Sequence, residues 1–126
     1  MNDSVALRNA LLDAREVAVG TSPVLEFRSG TKPANAAASR TGTVLATMTL
    51  PSDWLAAASG GTKAKSGTWQ DASADATGTL GYWTLYASDG TTVMTQGTVT
   101  VTAGGGEITV DSTSITATQP FVITSF

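Results

Sequence analysis

Two stretches of this chain alternate polar β-formers with apolar residues. They are Thr43-Val44-Leu45-Ala46-Thr47-Met48-Thr49-Leu50 and Thr98-Val99-Thr100-Val101-Thr102. A period of two places successive side chains on opposite faces, so each run reads as a strand with one buried face. Histidine and cysteine are both absent. That removes the usual neutral-pH acid/base, the commonest metal ligand, thiolate chemistry and disulfides. Charged residues make up 13% of the chain, about half the usual share, so much of the surface must be Thr, Ser, Ala and Gly, which desolvate easily. The net charge of −3 with scattered Lys and Arg leaves no footprint for nucleic acid. No apolar run reaches the roughly 18 residues of a membrane span, and Met1-Asn2-Asp3-Ser4 lacks the basic and apolar regions of a signal peptide.

Helical spacing occurs over residues 4–19, where Leu7, Leu11, Ala14 and Ala18 recur on one stripe, Ser4 or Asp3 can cap, and Gly20 can stop the helix. One apolar stripe implies one buried face, against the chain's own sheet or against a neighbouring subunit. Past Ser22-Pro23 the period shortens. Strands are expected at 24–28 and 43–50, the latter with Val44, Ala46, Met48 and Leu50 on one face, separated by turn and loop chemistry from Ser29 to Gly42. Pro51-Ser52-Asp53 predicts a helical turn over 54–59 closed by Gly60-Gly61, followed by a strand over 62–70 and a polar loop from Asp71 to Gly78. Residues 80–87 and 91–96 flank Ser88-Asp89-Gly90, the pattern of a hairpin with a primed turn. Gly97 suggests a bulge or a change of sheet, and Gly104-Gly105-Gly106 a flexible hairpin connection to a strand at 107–111. Strands over 115–118 and 121–126 complete the chain. The expected fold is mainly β: an antiparallel β-sandwich of about seven short strands with one N-terminal α-helix. Residues 1–20 form a docking helix and 21–126 the β-domain, within one structural domain.

Without His, carboxylates are the remaining acid/base candidates. Glu107 and Asp111 lie four residues apart on a strand, about 13 Å, too far to pair. Asp71 and Asp75 share a loop, where turn formation and capping account for them; a glycosidase built on either would still need a tuned, facing pair. Asp71, Ser73 and Asp75 begin a calcium-loop spacing, but Ala76 and Tyr82 stand where the loop needs Gly and Glu. Gly104–Gly106 is no phosphate loop, since no Lys-Ser/Thr follows it, and no Gly-x-Ser-x-Gly elbow occurs. No catalytic, cofactor-binding or metal-binding residue is therefore assigned, and no cofactor is expected. Trp54, Trp69, Tyr82, Trp83 and Tyr86 crowd the middle of the chain and suit core or interface packing, with sugar stacking as the alternative.

Larger segments carry a resemblance. Thr49-Leu50-Pro51-Ser52-Asp53-Trp54-Leu55-Ala56-Ala57-Ala58-Ser59, the stretch from Ser66 to Thr79, Arg8-Asn9-Ala10-Leu11-Leu12-Asp13-Ala14 and Val122-Ile123-Thr124-Ser125-Phe126 together resemble small structural proteins of tailed bacteriophages and prophages. The resemblance implies a virion component without enzymatic activity, made in the bacterial host cytoplasm. A head decoration or neck-associated protein is the expected type, contacting capsid, connector or fibre proteins and other copies of itself, with neither nucleic acid nor membrane as partner. The expected assembly contacts are Leu7, Leu11, Leu12 and Val17 in the helix with Trp54 and Leu55 after it. The alternative is a tail-fibre or spike module that binds a host-surface glycan through Trp69, Tyr82 or Trp83. An apolar end in a β pattern also suggests that the strand ending at Phe126 pairs with another chain.

Overall fold

A computed structural model describes residues 2–101 and 103–123. The helix α1 spans Val5–Val19; the strands are β1 Val24–Arg28, β2 Val44–Thr49, β3 Trp69–Asp71, β4 Gly78–Thr79, β5 Tyr82–Tyr86, β6 Val93–Val101, β7 Ile108–Val110, β8 Ser114–Ile115 and β9 Phe121–Ile123. The chain is thus mainly β with one N-terminal helix, as its patterning implies. Five strands form one sheet in the order β2-β1-β5-β6-β7, and β3-β9 and β4-β8 form two short ribbons. All pairs are antiparallel except β6 with β7, which run parallel with Val99 beside Ile108 and Val101 beside Val110.

The core follows from the two-residue period. Leu25 and Phe27 of β1 stand beside Met48 and Ala46 of β2 and beside Leu85 and Trp83 of β5, so one sheet face is continuously apolar. A bulge opposite Phe27 and Arg28 turns Leu45 into the core as well, which the strict alternation of 43–50 does not foretell. Across this face the Phe27 and Phe121 rings meet edge-on, with centroids 5.0 Å apart. Ile123, Trp69, Ile115 and Leu80 from the ribbons join the same cluster. The short ribbons thus share the core of the five-stranded sheet. Each large side chain buried there stabilises the fold by about 1.5–3 kcal/mol.

β5 is buried on both faces. Its second face, Tyr82, Thr84 and Tyr86, is covered by the loop from Ser29 to Thr43, whose ends are tied by Ser29 N–H to the Thr43 carbonyl (3.0 Å) and Thr43 N–H to Ser29 Oγ (3.0 Å). Arg40 pins this loop down. Its guanidinium donates to Thr84 Oγ1 (3.2 Å), Gln96 Oε1 (2.6 Å) and the carbonyls of Asn35, Ala36 and Ala38. Tyr82 donates to the Thr41 carbonyl (2.6 Å), and Gln96 to that of Pro33 (2.8 Å). A polar sheet face is thus covered by a loop that meets its hydrogen-bonding needs.

Several local expectations are corrected. Residues 54–59 form no helical turn; Leu55 bridges Lys65 and Ser59 bridges Thr62, so 55–65 folds back as an irregular hairpin, and regular strand begins only at Trp69. The turn after β5 is not of the primed kind. Gly90 has φ +72° but Asp89 does not have positive φ, and the Asp89 carboxylate instead accepts from Thr91 N–H, Thr92 N–H and Thr92 Oγ1. Gly97 marks no bulge, but the partner of β6 does change just after it, from β5 through Thr98 to β7 from Val99. Gly97 lies inside the unbroken β6, directly under Trp83, and an added Cβ would stand 2.5 Å from the indole. Gly104–Gly106 does not join a hairpin either, because β7 returns parallel to β6. Glu107 makes that return feasible by accepting Thr98 N–H (2.7 Å) and Thr98 Oγ1 (2.8 Å), while Gly106 N–H donates to Thr100 Oγ1 (3.0 Å). The strand expected over 121–126 is seen as β9 through Ile123; its pairing at Phe126 lies outside the described residues.

Two outcomes follow. Gly97→Val should destabilise the protein by about 1–3 kcal/mol, read from the urea midpoint, because the ring of Trp83 has no room to yield within a packed sheet. The hydrogen bonds from Thr92 and Thr91 hold the Asp89 carboxyl down to about 2. Its pKa is lower folded than unfolded, so its contribution is complete above the ordinary carboxylate value and is lost as pH falls through about 2. Asp89→Asn should therefore lower stability at neutral pH and flatten the loss of stability between about pH 4 and 2.

Candidate assembly surface

Helix α1 begins at Ser4, whose Oγ accepts from Leu7 N–H (3.2 Å), and ends at Gly20, which takes φ +90° and donates its N–H to the Glu16 carbonyl. At 100° per residue, Asn9, Leu12, Glu16 and Val19 fall on one arc, and these four are the helical residues withdrawn from solvent. This arc faces the β-domain through both apolar and polar contacts, with Val19 in the core cluster and Leu12 beside Trp54 and Leu55. Asn9 Oδ1 accepts from Gly61 N–H (2.9 Å) and Asp13 Oδ1 from Ala58 N–H (3.1 Å). Lys63 Nζ reaches both Asp13 (2.5 Å) and Glu16 (2.8 Å), with only 4% of its side chain exposed. Arg15 donates to Thr95 Oγ1 (3.3 Å) and Trp54 Nε1 to the Gly20 carbonyl (3.0 Å).

Electrostatics agree with that geometry. The Lys63 hydrogen bond, with help from Ala58 N–H, holds the Asp13 carboxyl below its usual range. Hydrogen bonds to Asp13 and then Glu16 push the Lys63 ammonium above its own.

The opposite arc carries Ala6, Leu7, Ala10, Leu11, Ala14, Val17 and Ala18, all exposed, and no charged residue. Leu7 is 47% exposed, Leu11 56% and Val17 80%. The helix thus carries apolar residues on both sides: Val19 and Leu12 meet the β-domain beside Asn9 and Glu16, and a second apolar face is left in solvent. The apolar stripe read from the sequence is thus not packed on the chain's own sheet. Beside Val17, a groove of about 540 Å³ opens between the helix end and Ser52 and Asp53.

Of the six expected contact residues, Leu7, Leu11 and Val17 share this exposed face. Leu12 is turned inward, where it lines a cavity of about 60 Å³ with Trp54, Leu55 and Leu85. Trp54 and Leu55 are core residues, 2% and 6% exposed, and present no surface to a partner. Trp54 is drawn inward by its hydrogen bond to Gly20 and by the Trp69 ring 6.0 Å away. The aromatic residues proposed for glycan stacking are buried too: Trp69, Tyr82 and Trp83 are at most 2% exposed and offer no open ring face. The sequence reading missed the part played by Asn9, Asp13, Glu16 and Lys63. A possible signal was three acceptors at i, i+4 and i+7, a spacing that already defines a single helix face.

The carboxylates elsewhere act as structural acceptors. Asp71 Oδ2 accepts from Thr47 N–H (3.0 Å), Asp71 Oδ1 from Ser73 N–H (3.1 Å) and Asp75 Oδ2 from Thr47 Oγ1 (3.0 Å). Both thereby cover the outer edge of β2, where Asp75 N–H also donates to the Leu45 carbonyl (2.8 Å). Among the described residues no three acidic side chains converge as a metal site would require, and no helix is long and apolar enough to cross a membrane. Comparison with known protein families, characterised proteins and solved structures finds no match for this chain.

Lys63→Met should release α1 from the 58–63 turn while leaving the sheet folded, seen as faster amide exchange confined to residues 5–19. The same release in the unsubstituted protein should depend on pH. Asp13 is lowered on folding, so its share is lost as pH falls below about 4; Lys63 is raised, so its share is lost above about pH 10.4.

Proposed function

We propose that this protein is a non-enzymatic assembly part, of the kind found in the virions of tailed bacteriophages, and that it joins its neighbours through the outer face of α1. The observation that carries the reading is the second apolar helix face, left in solvent. Leaving Leu7 and Leu11 half in water and Val17 mostly so forgoes burial worth about 1–2 kcal/mol for each, and a partner recovers it. Contiguous apolar surface of this kind marks an interaction site. The low charge and the Thr-rich strands suit a subunit packed among others, and the resemblance of the 49–59 and 66–79 segments to phage structural proteins gives that assembly its setting. A head decoration or neck-associated position is the form we favour, with capsid or connector proteins as partners and the virion as location. Asp71, Asp89 and Glu107 already accept hydrogen bonds from Thr47, Ser73, Thr92 and Thr98, which supports a structural role for them.

The double variant Leu7→Asp/Leu11→Asp keeps every inward contact of α1. It should fold with the thermal midpoint of the unsubstituted protein and fail to enter particles when supplied in trans to a phage lacking the native copy. Entry at the normal level would remove the helix from the assembly.

A further inference from the structure

We infer that the outer face of α1 pairs with the same face of a second copy of this chain. This rests on the reading of that face as an assembly surface and names its partner. Ala6, Ala10, Ala14 and Ala18 recur every fourth residue and form a shallow groove along the helix, and Leu7 and Leu11 form a ridge directly beside it. Helices pack by laying the i±4 ridge of one into the i±4 groove of the other. Here ridge and groove lie side by side on one surface, so a two-fold axis seats each copy's leucines in the other's alanine row. Such an isologous contact requires a surface complementary to itself. The face carries no charge, so two copies meet without like charges opposed, and a strongly charged partner would find nothing to pair with. Asp13, Arg15 and Glu16 are already committed on the other side, to Lys63, the Ala58 N–H and Thr95.

The available area sets the strength of the pair. Complete cover of the exposed face would remove on the order of 500 Å² from each copy, below the range of stable interfaces and within that of weak, transient ones. The pair is therefore a concentration-dependent equilibrium in free solution, strengthened when further contacts hold the subunits together in an assembly.

Sedimentation equilibrium of the purified full chain, from micromolar to millimolar, tests this. The unsubstituted protein should pass from monomer to dimer. Ala14→Glu, at an exposed helical position that glutamate suits, should raise the dissociation constant at least about tenfold with no change in the thermal midpoint of dilute protein. Because the chain has no cysteine, Ala10→Cys and Ala14→Cys supply unique thiols; a mixture should form a disulfide dimer under mild oxidation much faster than Ser88→Cys at the far hairpin. A protein that stays monomeric at millimolar concentration overturns self-pairing, as does a dimer indifferent to Ala14→Glu. If self-pairing fails while Leu7→Asp/Leu11→Asp still blocks particle entry, the face takes a different protein and the proposed function stands. If self-pairing holds while that double variant enters particles normally, the pair exists and the assembly role fails.

Discussion

The Lys63 ammonium, shared between Asp13 and Glu16, joins Val19 and Leu12 in fixing which side of α1 meets the β-domain. A helix with an apolar stripe ordinarily turns that stripe inward, because burial of leucine outweighs what polar contacts return. In this protein the 58–63 turn presents two backbone N–H groups and a lysine to the helix, in exposed or half-buried contacts that each return about 0.5–1.5 kcal/mol, while Val19 and Leu12 pack on the same side. Asn9, Asp13 and Glu16 make those polar contacts together. Once they face inward, helical geometry obliges Leu7, Leu11, Ala14 and Val17 to face outward. The exposed surface is thus a consequence of how the helix is anchored.

The same logic governs the rest of the molecule. Arg40 gathers three loop carbonyls, Thr84 and Gln96 so that a polar sheet face can be covered. Nε of Arg40 is buried without a hydrogen bond among the described residues, so even this network leaves one donor unmet. Glu107 stands in for a strand carbonyl at Thr98 and lets β7 return parallel to β6 within a short connection. Asp71 and Asp75 close the outer edge of β2, and Asp89 organises the turn between β5 and β6. In a chain with few charges, Asp13, Asp71, Asp75, Asp89 and Glu107 each accept from a backbone N–H or a threonine. The aromatic residues fill the core, and none of the three tryptophans is left at the surface.

Much of the architecture was legible in the sequence because local periodicity and local placement coincide. Residues 24–28 and 43–50 alternate and form strands, the 80–87 run before Ser88-Asp89-Gly90 forms β5, and Ser4 and Gly20 bound the helix as capping chemistry requires. The misreadings share one cause, which is that a long-range partner overrides a local signal. Pro51-Ser52-Asp53 has the chemistry of a helix start, but Trp54 is drawn to Gly20 and Trp69, and the segment becomes a hairpin. Gly97 resembles a breaker until the Trp83 ring above it is known. The candidate surface was half legible. The stripe through Leu7 and Leu11 was visible at once, but its direction depends on Lys63, fifty residues from Asp13, and no local pattern reports that pairing.

The central claim is that the face of α1 bearing Leu7, Leu11 and Val17 lies in solvent in the free protein and is covered on assembly. Carbene footprinting read residue by residue, on the purified protein and on intact particles, measures this directly. Strong labelling of Leu7, Leu11 and Val17 in the free chain, with faint labelling of Leu12, Trp54 and Leu55, and loss of the strong signals in particles is the expected result. Labelling of Leu7, Leu11 and Val17 that is equally strong in both states, with protection found elsewhere on the β-domain, would contradict the account.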